Sequence, residues 1–239
     1  MQRAPPSLPP SLLTHSFTIH PTKPLPHIPA NLNTNTPRYL TTMSAKITKT
    51  SDLPPSEAKW ISFQKIDWVD QAGKARVWEV ASRKTRGSSG IDAVAIAAIL
   101  RSPTAPPSTI IILQFRPPAA GICVELPAGL IDAKETPEQA AVRELREETG
   151  YEGKVVGMSP TIVSDPGMTT ANMQFATVEV DLKEGEQPEQ QLDEGEFIER
   201  VVVPIHELYA RLLKYSEEGK TVDARLWHWA AGIEFAKSL

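Results

Sequence analysis

Three glutamates within five residues, Glu144, Glu147 and Glu148, carry the chemistry that this sequence most clearly implies. On a helix, residues three or four positions apart are neighbours, so these carboxylates would lie side by side on one surface. Like charges so close repel one another, and a hard cation removes that penalty. Mg²⁺ prefers carboxylate oxygens, keeps several waters and bridges phosphate oxygens. The spacing indicates a magnesium site for a phosphate compound, although an isolated glutamate-rich helix face is usually only solvated charge.

The residues on either side of these glutamates predict the helix that would hold them. Thr136 suits the N-cap, Pro137 suits the first helical position, and Gln139 completes a capping box. Gly150 can adopt the left-handed conformation that ends a helix. We therefore predict a helix from Pro137 to Thr149.

The glutamates also belong to a longer pattern with fixed spacing. Gly129 is followed by Glu135, then by Arg143 immediately before the first glutamate, and the run closes with Gly150 and Tyr151. This is G-x5-E-x7-R-E-U-x-E-E-x-G-U, where U is a bulky hydrophobic residue, and it resembles the Nudix box at every fixed position. Tyr151 is a soft departure, since an aliphatic residue is commoner there. The resemblance implies metal-dependent cleavage of a diphosphate linked to another moiety, with Mg²⁺ as cofactor and Mn²⁺ as the alternative.

Segments outside the box narrow the resemblance to the ADP-ribose (ADP-sugar) pyrophosphatase branch of the Nudix hydrolases. The resemblance covers about residues 55–237, and Pro166 resembles the proline that marks ADP-ribose hydrolases. It implies an α/β fold, a Nudix α/β/α sandwich with a mixed sheet, preceded by a small N-terminal antiparallel β domain. It also implies a homodimer whose active site draws on both subunits. The segments are Gln114-Phe115-Arg116-Pro117-Pro118, Glu125-Leu126-Pro127-Ala128-Gly129, Asp165-Pro166-Gly167 and Gly195-Glu196-Phe197.

The resemblance also assigns roles in substrate binding. Trp60 and Trp78 would stack on the adenine, while Arg83 and Arg116 would hold the diphosphate and the terminal ribose. A guanidinium suits that task because its planar fork donates two hydrogen bonds to phosphate oxygens. Glu125 resembles a metal-linked or substrate-binding position.

Other interpretations of these residues stay open. Aromatic residues of a hairpin are usually core, so both tryptophans could serve packing alone. Lys84 and Arg86 are nearby alternatives to Arg83, and Arg116 could simply close a strand before Pro117.

The remaining roles concern the metal and the water. The resemblance implies that two or three Mg²⁺ are bound by Glu144 and Glu148, with Glu147 and the carbonyl of Ala128. It implies that Arg143 pairs with Glu135 to hold the loop to the helix, a structural role shared with Gly129 and Gly150. Glu196 resembles the loop glutamate that activates or positions the water. The polar run before it, EGEQPEQQLDEG, is predicted to be mobile and to close on substrate, whereas acidic runs are usually only solvated.

The function implied is hydrolysis of ADP-ribose to AMP and ribose 5-phosphate. ADP-mannose, ADP-glucose and 8-oxo-dGDP remain alternative substrates. A noncatalytic module that binds ADP-ribose is a competing class, but such modules typically lose box carboxylates, and all of them are present here. An RNA-processing Nudix enzyme would be expected to carry a basic surface, and the net charge of −4 argues against one.

Composition sets the wider limits. A chain of 239 residues with 41% hydrophobic and 23% charged residues fits one large or two small domains. Cys123 is the single cysteine, and we interpret it as a buried strand residue rather than a nucleophile. A reducing intracellular compartment follows as the default, which predicts a cytoplasmic or nuclear protein. No apolar run approaches the length of a membrane span.

The first 42 residues differ from the rest. They hold nine of the 22 prolines and no acidic residue, a composition that builds no core and predicts disorder. A nonfunctional or untranslated extension is the favoured interpretation, because Met43 resembles an alternative start. A mitochondrial presequence is the alternative, which the prolines and the scarcity of arginine oppose.

Alternating patterns predict the elements that position the site. A hairpin of strands 60–66 and 76–80, turning at 70–73, belongs to an N-terminal domain over residues 55–90. A Nudix domain follows over residues 91–239. Its predicted strands are 93–100, 109–115, 122–126, 153–157, 172–182 and 197–203, and two amphipathic helices, 205–217 and 222–237, close the chain.

Overall fold

In the residues that the computed structural model describes, a nine-stranded mixed sheet lies beside a separate two-stranded hairpin. These residues are 45–183, 185 and 187–239, so the predictions for residues 1–42 fall outside them. The helices of this part are α1 (Pro137–Thr149), α2 (Leu208–Glu217) and α3 (Ala224–Ala236). The strands are β1 (Ile61–Val69), β2 (Ala75–Arg83), β3 (Ala93–Arg101), β4 (Ser108–Arg116), β5 (Gly121–Glu125), β6 (Ala128–Leu130), β7 (Lys154–Met158), β8 (Ile162–Val163), β9 (Asn172–Asp181), β10 (Glu199–Pro204) and β11 (Thr221–Val222).

The sheet is mixed, as the resemblance implied. Its main path runs β11-β5-β4-β3-β9-β7, with β10 on β4, β6 on β3 and β8 on β9. The pairs β3/β9 and β5/β11 are parallel, and the other pairs are antiparallel. The hairpin β1/β2 turns at Asp70 and Gly73, whose φ of 75° a glycine adopts easily.

Helices cover both faces of the sheet, which confirms the predicted α/β/α sandwich. Successive side chains of a strand point to opposite faces. In β4, Ile110 therefore packs in the core beneath α1, while Ile111 packs in the core beneath α2 and α3. Leu145 anchors α1 on the first face, and Leu208 and Leu226 anchor the other two helices on the second.

The predicted boundaries of α1 are confirmed. The Thr136 hydroxyl accepts a hydrogen bond from the Gln139 backbone, and the Gln139 side chain accepts one from the Thr136 backbone. Pro137 opens the helix, and Gly150 ends it in the left-handed region with φ 77°. These signals lie within a few residues of the helix ends, so they act without help from the tertiary structure.

Some element boundaries differ from the prediction. The helix expected from residue 205 begins with a 3₁₀ turn, Ile205–Glu207, before α2 starts. The last long strand starts at Glu199 rather than at 197. Three short strands, β6, β8 and β11, were missing from the prediction, because two or three residues show no measurable alternation.

Cys123 lies in β5 with 6% of its surface exposed, which confirms its interpretation as a buried strand residue. Burial raises the pKa of its thiol, and the Glu125 charge raises it further. In the described part of the chain, no helix is both long enough and apolar enough to cross a membrane.

Candidate active site

Arg143 joins the loop before α1 to the glutamates on that helix. Its Nε and Nη2 donate to the two carboxylate oxygens of Glu135, each at 2.9 Å, and Nη2 also donates to the Leu130 carbonyl at 2.9 Å. Its Nη1 donates to Glu144 Oε1 at 2.8 Å and to Glu147 Oε2 at 3.0 Å. All five guanidinium donors are thereby used. The same contact with Arg143 holds the pKa of Glu135 below its usual range.

Glu148 is the most deeply buried of the three glutamates, with 4% of its surface exposed. Its Oε2 accepts a hydrogen bond of 2.9 Å from the backbone N–H of Ala128 in β6. Burial raises the pKa of Glu148 to about 8, and the charges of Glu144 and Glu196 add to the rise. Burial likewise raises the pKa of Glu144. The site thus concentrates acidic side chains, and the positive charges of its arginines offset their mutual repulsion only in part.

Gly129 lets α1 approach β6 closely. A Cβ at this position would collide with the carboxylate of Glu144. The glycine that begins the box is therefore needed for space, since its backbone has an ordinary φ.

We predict that Gly129→Ala displaces the Glu144 carboxylate and lowers the turnover number. A displacement of about 1 Å can cost about 10²-fold in rate, and overpacking typically costs about 1–3 kcal/mol of stability. Steady-state kinetics and thermal unfolding measure the two effects. The matched control is Gly232→Ala in α3, where a new Cβ meets no atom within 4 Å. Wild-type turnover by Gly129→Ala would contradict the prediction.

The box residues fit a divalent cation by chemistry. In the part of the chain described, no three acidic, histidine or cysteine side chains form a ready cation cage. Glu144 and Glu147 bind Arg143 instead, and Glu148 binds the Ala128 amide. The donors are nevertheless hard oxygens, and burial raises the pKa of two of the carboxylates, Glu144 and Glu148, with the charge of Glu196 adding to each rise. A hard cation would favour their charged forms.

A second polar cluster lies beside the box. Glu125 Oε2 accepts hydrogen bonds from Gln114 Nε2 at 3.0 Å and from Arg116 Nε at 2.8 Å. Arg116 and Glu125 line a small cavity together with Ala128. The charge of Arg116 also lowers the pKa of Glu148, so this cluster acts electrostatically on the box.

The sequence prediction missed two residues that line the same cavity, Asp223 and Arg225. Asp223 caps α3 by accepting from the backbone of Arg225 and Leu226. It also pairs with the Arg225 side chain, with Nη2–Oδ2 at 2.6 Å and Nε–Oδ1 at 2.9 Å. An Asp at a helix start was visible as a capping signal. Its place near Glu125 was not visible, because it depends on the parallel pairing of β11 with β5.

The two predicted adenine-stacking residues, Trp60 and Trp78, are 69% and 48% exposed, so neither is a core residue. Trp78 Nε1 donates to the Gly167 carbonyl at 2.9 Å, which ties the hairpin to the loop containing Pro166. The hairpin places the backbones of the two tryptophans far apart. Trp60 lies opposite Lys84, and Trp78 lies opposite a residue six positions further along the first strand, a distance of about 20 Å.

Among the three basic candidates at the end of β2, Arg83 is the one whose side chain makes no hydrogen bond in the described residues. Arg86 donates to Asp92 at 3.0 and 2.7 Å and to the Thr170 carbonyl at 2.6 Å. Lys84 Nζ donates to the Ala58 carbonyl at 2.6 Å. Arg83 is exposed, and its charge contributes to lowering the pKa of Asp92.

Glu196 lies in the loop before β10. Its backbone N–H donates to the Asp193 carbonyl at 3.0 Å, and its Oε2 accepts from the Asp193 backbone at 3.2 Å. Gly195 precedes it with φ 89°. The charge of Glu196 raises the pKa of both Glu144 and Glu148, so the loop carries this carboxylate within electrostatic reach of the box.

Part of the loop is attached to the end of α1. Its residues 188–191 contact the C-terminal end of α1, and Gln190 and Arg200 bind backbone carbonyls there. These attachments could not be predicted from the sequence, because a stretch of polar residues does not reveal its partners elsewhere in the chain; the predicted mobility of the run stays a prediction.

Comparison with known proteins extends this picture. The model of the NUDIX domain matches residues 92–226. The ADP-ribose pyrophosphatase of Saccharomyces cerevisiae is 46% identical over 185 residues, which are 76% of this chain and 80% of the yeast protein. An uncharacterised Nudix hydrolase of Schizosaccharomyces pombe is 43% identical over 79% of this chain and 92% of its own length. The ADP-sugar pyrophosphatase of Mus musculus is 37% identical over 79% of this chain and 88% of its own length.

Proposed function

Because this chain belongs to the Nudix hydrolase family, we propose that it hydrolyses the diphosphate of ADP-ribose to AMP and ribose 5-phosphate. The observation that carries the proposal is the buried carboxylate of Glu148 on the same helix as the partly buried Glu144, with the charge of Arg116 acting on Glu148. The similarity to the yeast ADP-ribose pyrophosphatase supports the choice of substrate. A second candidate, an ADP-sugar, is supported by the similarity to the mouse ADP-sugar pyrophosphatase.

The metal ligands that we propose are Glu144, Glu147, Glu148 and the carbonyl of Ala128, with Mg²⁺ as the ion and Mn²⁺ as the alternative. When bound, such a cation stabilises the charge that develops on the diphosphate. Arg143 is not part of the chemistry. It holds Glu135 and the box loop against α1, and its hydrogen bonds to Glu144 and Glu147 would have to give way if those carboxylates bound a cation.

Side chains of the protein bind the phosphates and activate the water. Arg116 and Arg83 hold the phosphates, since a guanidinium offers two parallel donors to phosphate oxygens. Glu196 accepts a proton from the attacking water, whose oxygen bonds to one phosphorus. The bridging P–O bond then breaks, and the other phosphate leaves. Because the leaving group is already a held phosphate, catalysis consists mainly of positioning and electrostatics.

The adenine clamp that we propose is shared between the two subunits of a homodimer. The backbone positions of Trp60 and Trp78 are separated by about 20 Å along one hairpin, which opposes stacking of both side chains of one chain on the same adenine. Trp60 of one protomer and Trp78 of its partner can do so if the hairpins exchange across the dimer. The exposed apolar residues of the hairpin, such as Phe63 and Val77, would be covered in that arrangement.

A mixing experiment tests the shared clamp. We expect Trp60→Ala and Trp78→Ala each to raise the KM for ADP-ribose by about 5- to 150-fold, because stacking one base on an aromatic ring is worth about 1–3 kcal/mol. Mixing the two variants under subunit exchange should restore activity at low substrate. The mixed dimer holds one site with both tryptophans and one site with neither.

Each variant mixed with itself is the control for this experiment. No recovery on mixing, with subunit exchange confirmed by native mass spectrometry, would contradict the shared clamp. A monomer at micromolar concentration in light scattering would contradict the homodimer as well.

The substrate is tested by turnover of ADP-ribose with Mg²⁺, compared with ADP-mannose, ADP-glucose, NADH and 8-oxo-dGDP. Chromatography of the released AMP or corresponding nucleotide gives the rate. A clear preference for ADP-ribose, lost with EDTA, is the expected result. Preference for another diphosphate would contradict the assignment of ADP-ribose as substrate, while the assignment as a diphosphate hydrolase would stand. Cleavage of none, with ADP-ribose still bound in calorimetry, would indicate a noncatalytic module.

A further inference from the structure

The last turn of α1 leaves backbone carbonyls without partners inside the helix, as every helix does. Here the chain around the Glu196 loop supplies those partners for three consecutive residues. The donors come from both sides of the loop, two before Glu196 and one after it. They are the Gln191 backbone N–H to the Glu147 carbonyl at 2.8 Å, the Gln190 Nε2 to the Glu148 carbonyl at 2.6 Å, and the Arg200 Nη1 to the Thr149 carbonyl.

The side chains of Gln190 and Arg200 also connect the two ends of the loop to each other. Gln190 Nε2 also donates to the Ile198 carbonyl at 3.1 Å, and Arg200 Nη1 donates to the Pro188 carbonyl at 2.7 Å. The Arg200 guanidinium lies 5.1 Å from the ring centroid of Tyr151, just after the helix. Each side chain therefore joins the strand that leaves the loop, the segment that enters it and the end of α1.

Gly150 permits this close approach. A Cβ there would lie 2.5 Å from the Glu189 carbonyl oxygen. The glycine that ends α1 thus serves a second purpose besides its left-handed φ. It leaves room for the loop backbone against the helix end.

We propose that Gln190 and Arg200 are positioning residues for the hydrolysis, because they hold the Glu196 loop in register with Glu144 and Glu148. The metal-binding carboxylates and the loop glutamate then belong to one rigid unit, with the C-terminal end of α1 as its base. This inference rests on the catalytic role proposed for Glu196.

Gln190→Ala is the central test, because it removes the amide that spans the Glu148 and Ile198 carbonyls. We expect the turnover number to fall by about 10- to 100-fold, as a displaced catalytic group would cause. We expect KM to change little, because neither residue touches the substrate. The matched control is Gln191→Ala, which keeps the backbone donor and removes a side chain without a hydrogen bond in the described structure.

A double-mutant cycle separates positioning from general destabilisation. If Gln190 acts through Glu196, Gln190→Ala should have almost no further effect on turnover in the Glu196→Gln background. Equal losses in both backgrounds would overturn the proposal. So would full activity of Glu196→Gln alone. The cycle can be run on whichever diphosphate the protein cleaves best, so a wrong substrate assignment would not decide it.

Amide hydrogen exchange gives a second measurement that needs no activity. Gln190→Ala should raise the exchange rate at residues 193–198, while Gln191→Ala should not. Arg200→Lys, which keeps a cationic donor group but loses the planar guanidinium, should lie between the wild type and Arg200→Met in both exchange and turnover. Unchanged exchange in Gln190→Ala would overturn the proposal even if the protein cleaved no diphosphate that was tried.

Discussion

Replacing Glu148 with glutamine should strongly slow hydrolysis and, at the same time, stabilise the metal-free protein above neutral pH. Turnover should fall by at least about 10²–10³-fold, the range seen when one preorganised electrostatic group is removed. Stability should rise in the variant. Burial, together with the charges of Glu144 and Glu196, disfavours the ionised form of Glu148 and raises its pKa to about 8 from an ordinary value of 4.5.

The pH dependence follows from that direction. Between pH 4.5 and about 8 the folded metal-free protein keeps a proton on Glu148 that the unfolded chain has released. The stabilisation by this proton is complete below the lower value and is lost as the pH rises through the higher one. Glu148→Gln carries no titrating proton, so it should match the wild type near pH 5 and exceed it in melting temperature near pH 9.

Thermal unfolding in EDTA at several pH values, together with turnover in Mg²⁺, measures both effects. The matched control is Glu138→Gln, an exposed glutamate of the same helix that should keep activity and the wild-type pH profile. Turnover by Glu148→Gln within about tenfold of the wild type would contradict its place among the metal ligands, since one preorganised group is worth more than that.

Glu196→Gln should lower the turnover number by about 10²–10⁴-fold, the usual contribution of a general base. Metal binding should survive, because the box residues are untouched and the loss of a nearby negative charge removes repulsion from Glu144 and Glu148. Turnover and a Mn²⁺ titration followed by electron paramagnetic resonance measure the two properties on the same sample.

The control is Glu194→Gln, an exposed acid two positions earlier in the same loop, which should retain turnover. Near-normal turnover by Glu196→Gln, with activity lost in Glu148→Gln, would show that the base assignment is wrong and that the metal site stands. Loss of Mn²⁺ affinity in Glu196→Gln would instead make Glu196 a metal ligand.

Much of the site could be predicted because its signals are local. The cap at Thr136, the stop at Gly150 and the common surface of the α1 glutamates all depend on residues within about one helical turn of each other. Burial of the strand residue Cys123 could be predicted in the same way, from a hydrophobic strand pattern. The family resemblance rests on the same contiguous run.

Interactions between distant segments could not be predicted in this way. The pairing of β4 with β5 brings Arg116 into contact with Glu125. The pairing of β11 with β5 places Arg225 in the lining of the cavity. The side-chain types show that each residue can make an ion pair, but many partners would satisfy that chemistry. Strand order and register select the partner.

Sequence alone therefore determined the helix that carries Glu144 and Glu148, which follows from short spacings and caps, and the α/β/α sandwich and the class of chemistry, which the family resemblance of a contiguous motif implied. Only the tertiary structure decided that Trp60 and Trp78 lie far apart in one chain, and that Gln190 fastens the Glu196 loop to α1. These features depend on strand register and on hydrogen bonds between residues about 40 positions apart, which no local pattern specifies.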